Sequence, residues 1–148
     1  MTAEDSKAAN ESEIRQLFND QVKAIRAGDV KGATSSYAPN VLSFDVVNPL
    51  QKTGLEACRK RTEEWFSSFQ GAIGFEHRDL TIIAGDDVAF CHSLNHVDGT
   101  KTDGAKLEMW WRATFCLRKI DDKWLITHEH ASVPFDVETG HASLDLKP

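Results

Sequence analysis

The hydrophobic period of the chain changes at Ile73, and no other feature limits the possible folds as much. Up to that point apolar residues recur mainly at the 3.6-residue spacing of helices; beyond it they alternate, as strands require. In residues 11–29 the positions Ile14, Leu17, Phe18, Val22 and Ile25 make one helical stripe, and Gly28 stops it. Asp29 is placed to cap a short second helix carrying Val30, Ala33 and Tyr37, which Pro39 ends. Leu42, Phe44 and Val46 alternate as a short strand closed by Asn48 and Pro49. Thr53 and Gly54 open a third helix whose face is Leu55, Cys58, Thr62, Trp65, Phe66 and Phe69.

From Ile73 onward four alternating runs are joined by turns rich in Gly and Asp, centred on residues 84–87, 98–104 and 120–122. Such a succession is an antiparallel meander, to which the early strand adds a fifth member. Helices followed by a run of strands mean an α+β fold, with the helices gathered on one face of a curved sheet.

At 148 residues the chain is one domain, expected over residues 11–136, with a flexible tail at 1–10 and a second tail at 137–148. Cys58, Cys91 and Cys116 are widely spaced and form no Cys-x-x-Cys pair, so buried, reduced thiols and a cytoplasmic location are expected. A net charge of -6 without a basic cluster argues against nucleic acid. The apolar runs are too short to span a bilayer, and residues 1–13 have neither the apolar core nor the basic leader of a signal sequence.

The order α-α-β-α followed by a long meander, with the stretches AIRAGDVKGATSSYAPNVLSFD, KTGLEACRK and KWLITHEHASVPF, resembles the nuclear transport factor 2-like superfamily, and within it the SnoaL-like and ketosteroid-isomerase-like proteins. The last stretch is also similar to the association domain of calcium/calmodulin-dependent kinase II, a non-enzymatic module of the same fold. The resemblance implies a cone fold with an apolar pocket between the helices and the concave side of the sheet. It also implies a homodimer through the sheet face and a small-molecule ligand. The activity expected is a cofactor-free isomerase, cyclase or dehydratase acting on a small apolar carbonyl compound, the alternative being a non-catalytic binding or oligomerisation module.

Asp45 falls where the isomerase-like members carry the carboxylate that shuttles a proton, while Gln21 stands in place of their tyrosine. The position of their second acid falls near Arg112 to Thr114, so steroid isomerisation is not expected. His128 and His130 share a strand row with Trp124, Ile126 and Ser132, the row expected to face the pocket. With reference pKa values near ~6.5, the two histidines suit proton transfer. Asp45 or His128 would act as base, with His130 and Arg112 holding a developing oxyanion. On the preceding strand the mixed row of Trp110 and Arg112 is expected to line the cavity, and the apolar row from Leu107 to Leu117 to pack against helices or a partner. Tyr37, Gln21, Ser132 and His92 complete the expected ligand contacts. His92, His96, His128 and His130 also raise a metal site, but no glutamate follows the His-x-His pair as it does in cupins, and no metal is assigned.

Overall fold

The computed structural model describes residues 2–148. Helix α1 runs over Ala3–Arg26, so the first residues are helical where a tail was expected. The reason is local: Thr2 and Asp5 form a reciprocal capping box that satisfies two free amides of the first turn. Asn10, further along, fastens the helix to the sheet by donating to the Gly85 carbonyl at 3.0 Å and accepting from Lys119 at 3.2 Å. Gly28, with φ of 68°, closes the helix as its position in the sequence predicts.

Helix α2 is a single turn, Val30–Ala33, capped by Asp29 through a 3.0 Å bond from the Gly32 amide. Tyr37, expected on that helix, instead begins strand β1 (Tyr37–Phe44). Strand β2 (Lys52–Thr53) and helix α3 (Leu55–Ser67) follow, and Phe69 starts strand β3 (Phe69–Ala84) rather than ending the helix. Strands β4 (Val88–Lys101), β5 (Lys106–Ile120) and β6 (Lys123–Ser132) complete one six-stranded sheet in the order β2-β1-β6-β5-β4-β3. All neighbours are antiparallel except β1 and β6, which run parallel. The architecture is the expected α+β cone: helices packed on the concave side of a curved, mostly antiparallel sheet.

Strand β6 carries an extra residue. Leu117 of β5 pairs with Ile126, but the next partner of Cys116 is His128, so Thr127 is a bulge. A bulge inverts the side-chain parity, and the consequence is decisive for the site. Trp124 and Ile126 face the core before it, whereas Glu129 and Ala131 face inward after it. A second bulge in β3, between Arg78 and Thr81, leaves His77 inward on one side of it and Ile82 inward on the other.

The core has two clusters. One packs Ile14 and Phe18 of α1 against Phe115, Leu117 and Ile126; the other packs Phe66 and Phe69 against Phe75 and Val97. Beyond β6 the chain turns back on itself, with Phe135 bridging Ala142 and the Ser143 amide donating to the Pro134 carbonyl at 2.8 Å. This return brings Ala142 and Leu144 over the concave face. Among the described residues no helix is long and apolar enough to cross a membrane.

Candidate functional site

Between the helices and the concave face lies a cavity of about 510 Å³, within the range that holds a small organic ligand. Its walls are mostly apolar, drawn from Trp65 of α3, Phe75 and Val97, and Leu107, Met109 and Trp111 of β5. The cavity and the helices share one face of the sheet, so the apolar row of β5 lines the cavity. The mixed row of Trp110 and Arg112 points the other way, reversing the expectation from the sequence.

Polar residues interrupt this wall, and three groups of them bear on its chemistry. The first is Glu129, inward because of the Thr127 bulge. Tyr37 donates its hydroxyl to Glu129 Oε2 at 2.7 Å and Ser43 donates to Oε1 at 2.9 Å. Glu129 is partly buried and lines the cavity. Burial raises its pKa above the ordinary glutamate value of 4.5, against the two hydrogen bonds that favour the carboxylate. The Tyr37 hydroxyl is pushed well above the tyrosine range, by burial first and by the Glu129 charge second, so it stays a donor. Cys58 stands beside this pair, its thiol pushed up to about 11 by burial and then by Glu129, which rules out a resting thiolate.

The second group is Asp45. Its Oδ2 accepts from Lys52 at 3.0 Å and from Arg61 at 3.2 Å, and Oδ1 accepts from the Val46 amide at 2.6 Å. The third lies in the row shared by β3 and β4, where Asn95 Oδ1 accepts from Ser93 Oγ at 2.7 Å and from His77 Nδ1 at 2.7 Å. With Nδ1–H donating to Asn95, the other ring nitrogen, Nε2, is left as an acceptor, buried without a partner between Phe18, Phe75 and Phe115. Burial lowers the His77 pKa, partly offset by the bond to Asn95.

Of the residues expected from the sequence, Asp45, Gln21, Tyr37 and His130 line the cavity. His128 does not: its Nδ1 contacts the Leu42 carbonyl at 2.8 Å and its ring packs edge-on against Phe44, on the outer face. His130 also packs on Phe44 and reaches only the rim, largely exposed. Arg112 and Ser132 bond each other at 3.2 Å on that outer face, Trp110 stacks on His96, and His92 is exposed. The physical reason is again the bulge, together with the shared face of helices and cavity. Among the described residues no three His, Cys, Asp or Glu side chains group as metal ligands would. Glu129, Ser43, His77, Asn95, Lys52 and Arg61 were not singled out from the sequence, where nothing sets them apart from other polar strand and helix residues.

A helix-covered conical sheet with a cavity at its concave side is the architecture of the nuclear transport factor 2-like superfamily. Within it the chain belongs to the SnoaL-like domain family, whose profile matches residues 14–136. It is similar to the crystal structure of an NTF2-like protein of unknown function from Pseudomonas putida KT2440, at 37% identity and a TM-score of 0.86, covering 95% of this chain and 98% of that one. An NTF2-like superfamily protein from Salmonella enterica serovar Typhimurium shares the fold at 15% identity, with a TM-score of 0.77 over 92% of this chain and 99% of that one. A ketosteroid isomerase-like protein from Erwinia carotovora atroseptica does so at 16% identity, with a TM-score of 0.70 over 82% of this chain and 94% of that one. No curated protein matches the sequence.

Proposed function

We propose that the protein is a cofactor-free acid–base enzyme that moves a proton next to the carbonyl of a small, largely apolar compound held in the cavity. The observation that carries this reading is Glu129: a carboxyl on the wall of a mostly apolar cavity, its pKa raised by burial, fixed by two hydroxyl donors. As base, Glu129 takes a proton from the carbon beside the carbonyl, and the electron pair moves onto the carbonyl oxygen. A protonated Glu129 no longer needs the Tyr37 hydrogen, so the Tyr37 hydroxyl is free to turn to the new oxyanion. Return of the proton at another carbon, or loss of a leaving group, completes isomerisation or dehydration. Asp45, in the place expected for the base, serves here to hold Lys52 and Arg61.

The test is hydrogen–deuterium exchange at carbon, followed by proton NMR, in a panel of small aryl ketones and enones incubated with the protein. Exchange catalysed by the native protein and reduced about a hundredfold or more by Glu129→Gln is the expected result. Exchange unaffected by that substitution overturns the assignment of Glu129. The ion-paired state of Asp45 favours a second reading, a non-catalytic binding module. Ligand binding without exchange in any member of the panel would establish it.

A further inference from the structure

The cavity is cationic in a chain whose net charge is -6. Lys52, Arg61 and Lys101 all line it, opposed by Asp45 and by Glu129 alone among the acids of the wall. Asp45 engages two of the cations through one oxygen and only the Nε of Arg61, leaving the terminal guanidinium nitrogens available. Lys101 makes none of the ion pairs found among the described residues. Its ammonium donates one hydrogen to Ser68 Oγ at 2.7 Å and rests 4.2 Å from the centre of the Phe69 ring, which leaves two donors uncommitted. Its pKa is lowered, by burial first and by the Arg61 charge second. A mostly apolar cavity with three cations and two carboxylates on its wall suits a ligand that carries a negative group.

We propose that the ligand is an amphipathic carboxylate, its anionic head held between Arg61 and Lys101 and its apolar body lying against Trp65, Met109 and Trp111. Arg61 supplies the planar fork that fits a carboxylate, Lys101 a point charge beside it. The three apolar residues belong to the same lining, so one ligand of moderate length meets both ends. The inference rests on the cavity being a ligand site, as proposed above, and is independent of whether Glu129 moves a proton.

Isothermal titration calorimetry with 6-phenylhexanoate and its neutral analogue 6-phenylhexanamide tests it, on the native protein and on Arg61→Gln and Lys101→Met. The acid is expected to bind at least about tenfold more tightly than the amide, and each substitution to bring the two close to parity. Lys101→Met leaves both Asp45 ion pairs intact, so the comparison survives if Arg61→Gln fails to fold. Equal binding of acid and amide, or a preference that outlasts both substitutions, overturns the proposal while leaving the cavity as a ligand site. Failure of both probes to bind the native protein overturns it together with the ligand-site reading.

Discussion

Glu129 and Asp45 carry the same group and line the same cavity, and their surroundings give them different work. Asp45 meets two cations and an amide, whereas Glu129 meets two neutral hydroxyls inside an apolar wall. The raised pKa of Glu129 has a sign that can be measured. In the unfolded chain this carboxyl ionises near 4.5, in the folded protein later, so its contribution to stability is full below 4.5 and is lost as pH rises through the folded value. Glu129→Gln removes that loss: in urea titrations its stability relative to the native protein is expected to improve from pH 4 to pH 8. His77 works in the opposite direction, because burial lowers its pKa from 6.5. Its contribution is present above 6.5 and is lost as pH falls through the lower folded value. His77→Gln, which can still donate to Asn95, is therefore expected to flatten the acid side of the stability profile. Asp45 was legible as a polar residue at a strand end, in a position set by the family's spacing. Glu129 was not, because its inward orientation depends on one inserted residue.

The unit that misleads a reading by periodicity is strand β6. Alternation along residues 123–133 assigns Trp124, Ile126, His128, His130 and Ser132 to one row, and the first two are indeed buried. Thr127, whose hydroxyl caps the Cys116 carbonyl at 3.2 Å, then breaks the row. Nothing in a single sequence distinguishes that threonine from a regular strand residue, since threonine suits either setting. The meander itself, and the stripe of α1 with its Gly28 stop, were readable because long periodic segments override such local exceptions. The first turn of α1 was expected to be a tail although Thr2 and Asp5 carry its capping pattern; the tertiary anchor further along, Asn10 to the loop between β3 and β4, has no signature in a single sequence. Asn10→Ala should cost about 1–3 kcal/mol in chemical denaturation, leaving the Gly85 carbonyl and the Lys119 ammonium to water or to nothing. The C-terminal return was expected as a tail, yet it contributes Ala142 and Leu144 to the cavity. Ending the chain after Asp136 is expected to weaken binding of 6-phenylhexanoate in calorimetry while leaving the far-ultraviolet circular dichroism unchanged.

At the level of the whole molecule, the cavity exists because the two core clusters do not merge. Phe18 backs two residues of its wall, His77 and Phe115, at centroid distances of 5.4 and 4.9 Å. Phe18→Ala should cost about 3–5 kcal/mol in thermal or urea unfolding, a large share of a typical domain's stability. The cone fold was legible from element order together with three family-like stretches, and the family match agrees with it. The cavity lies where the resemblance implied, between helices and concave sheet; which strand rows line it needed the structure, because helices and cavity share the apolar face of β5. The account depends most on Glu129 being an unusual acid on that face. Carbon-13 NMR of glutamate-labelled protein, with Glu129→Gln to assign the resonance, follows its carboxyl directly through a pH titration. A midpoint clearly above 4.5, shifting further when 6-phenylhexanoate occupies the cavity, is the predicted result; a midpoint at or below the ordinary value, indifferent to the ligand, would contradict it.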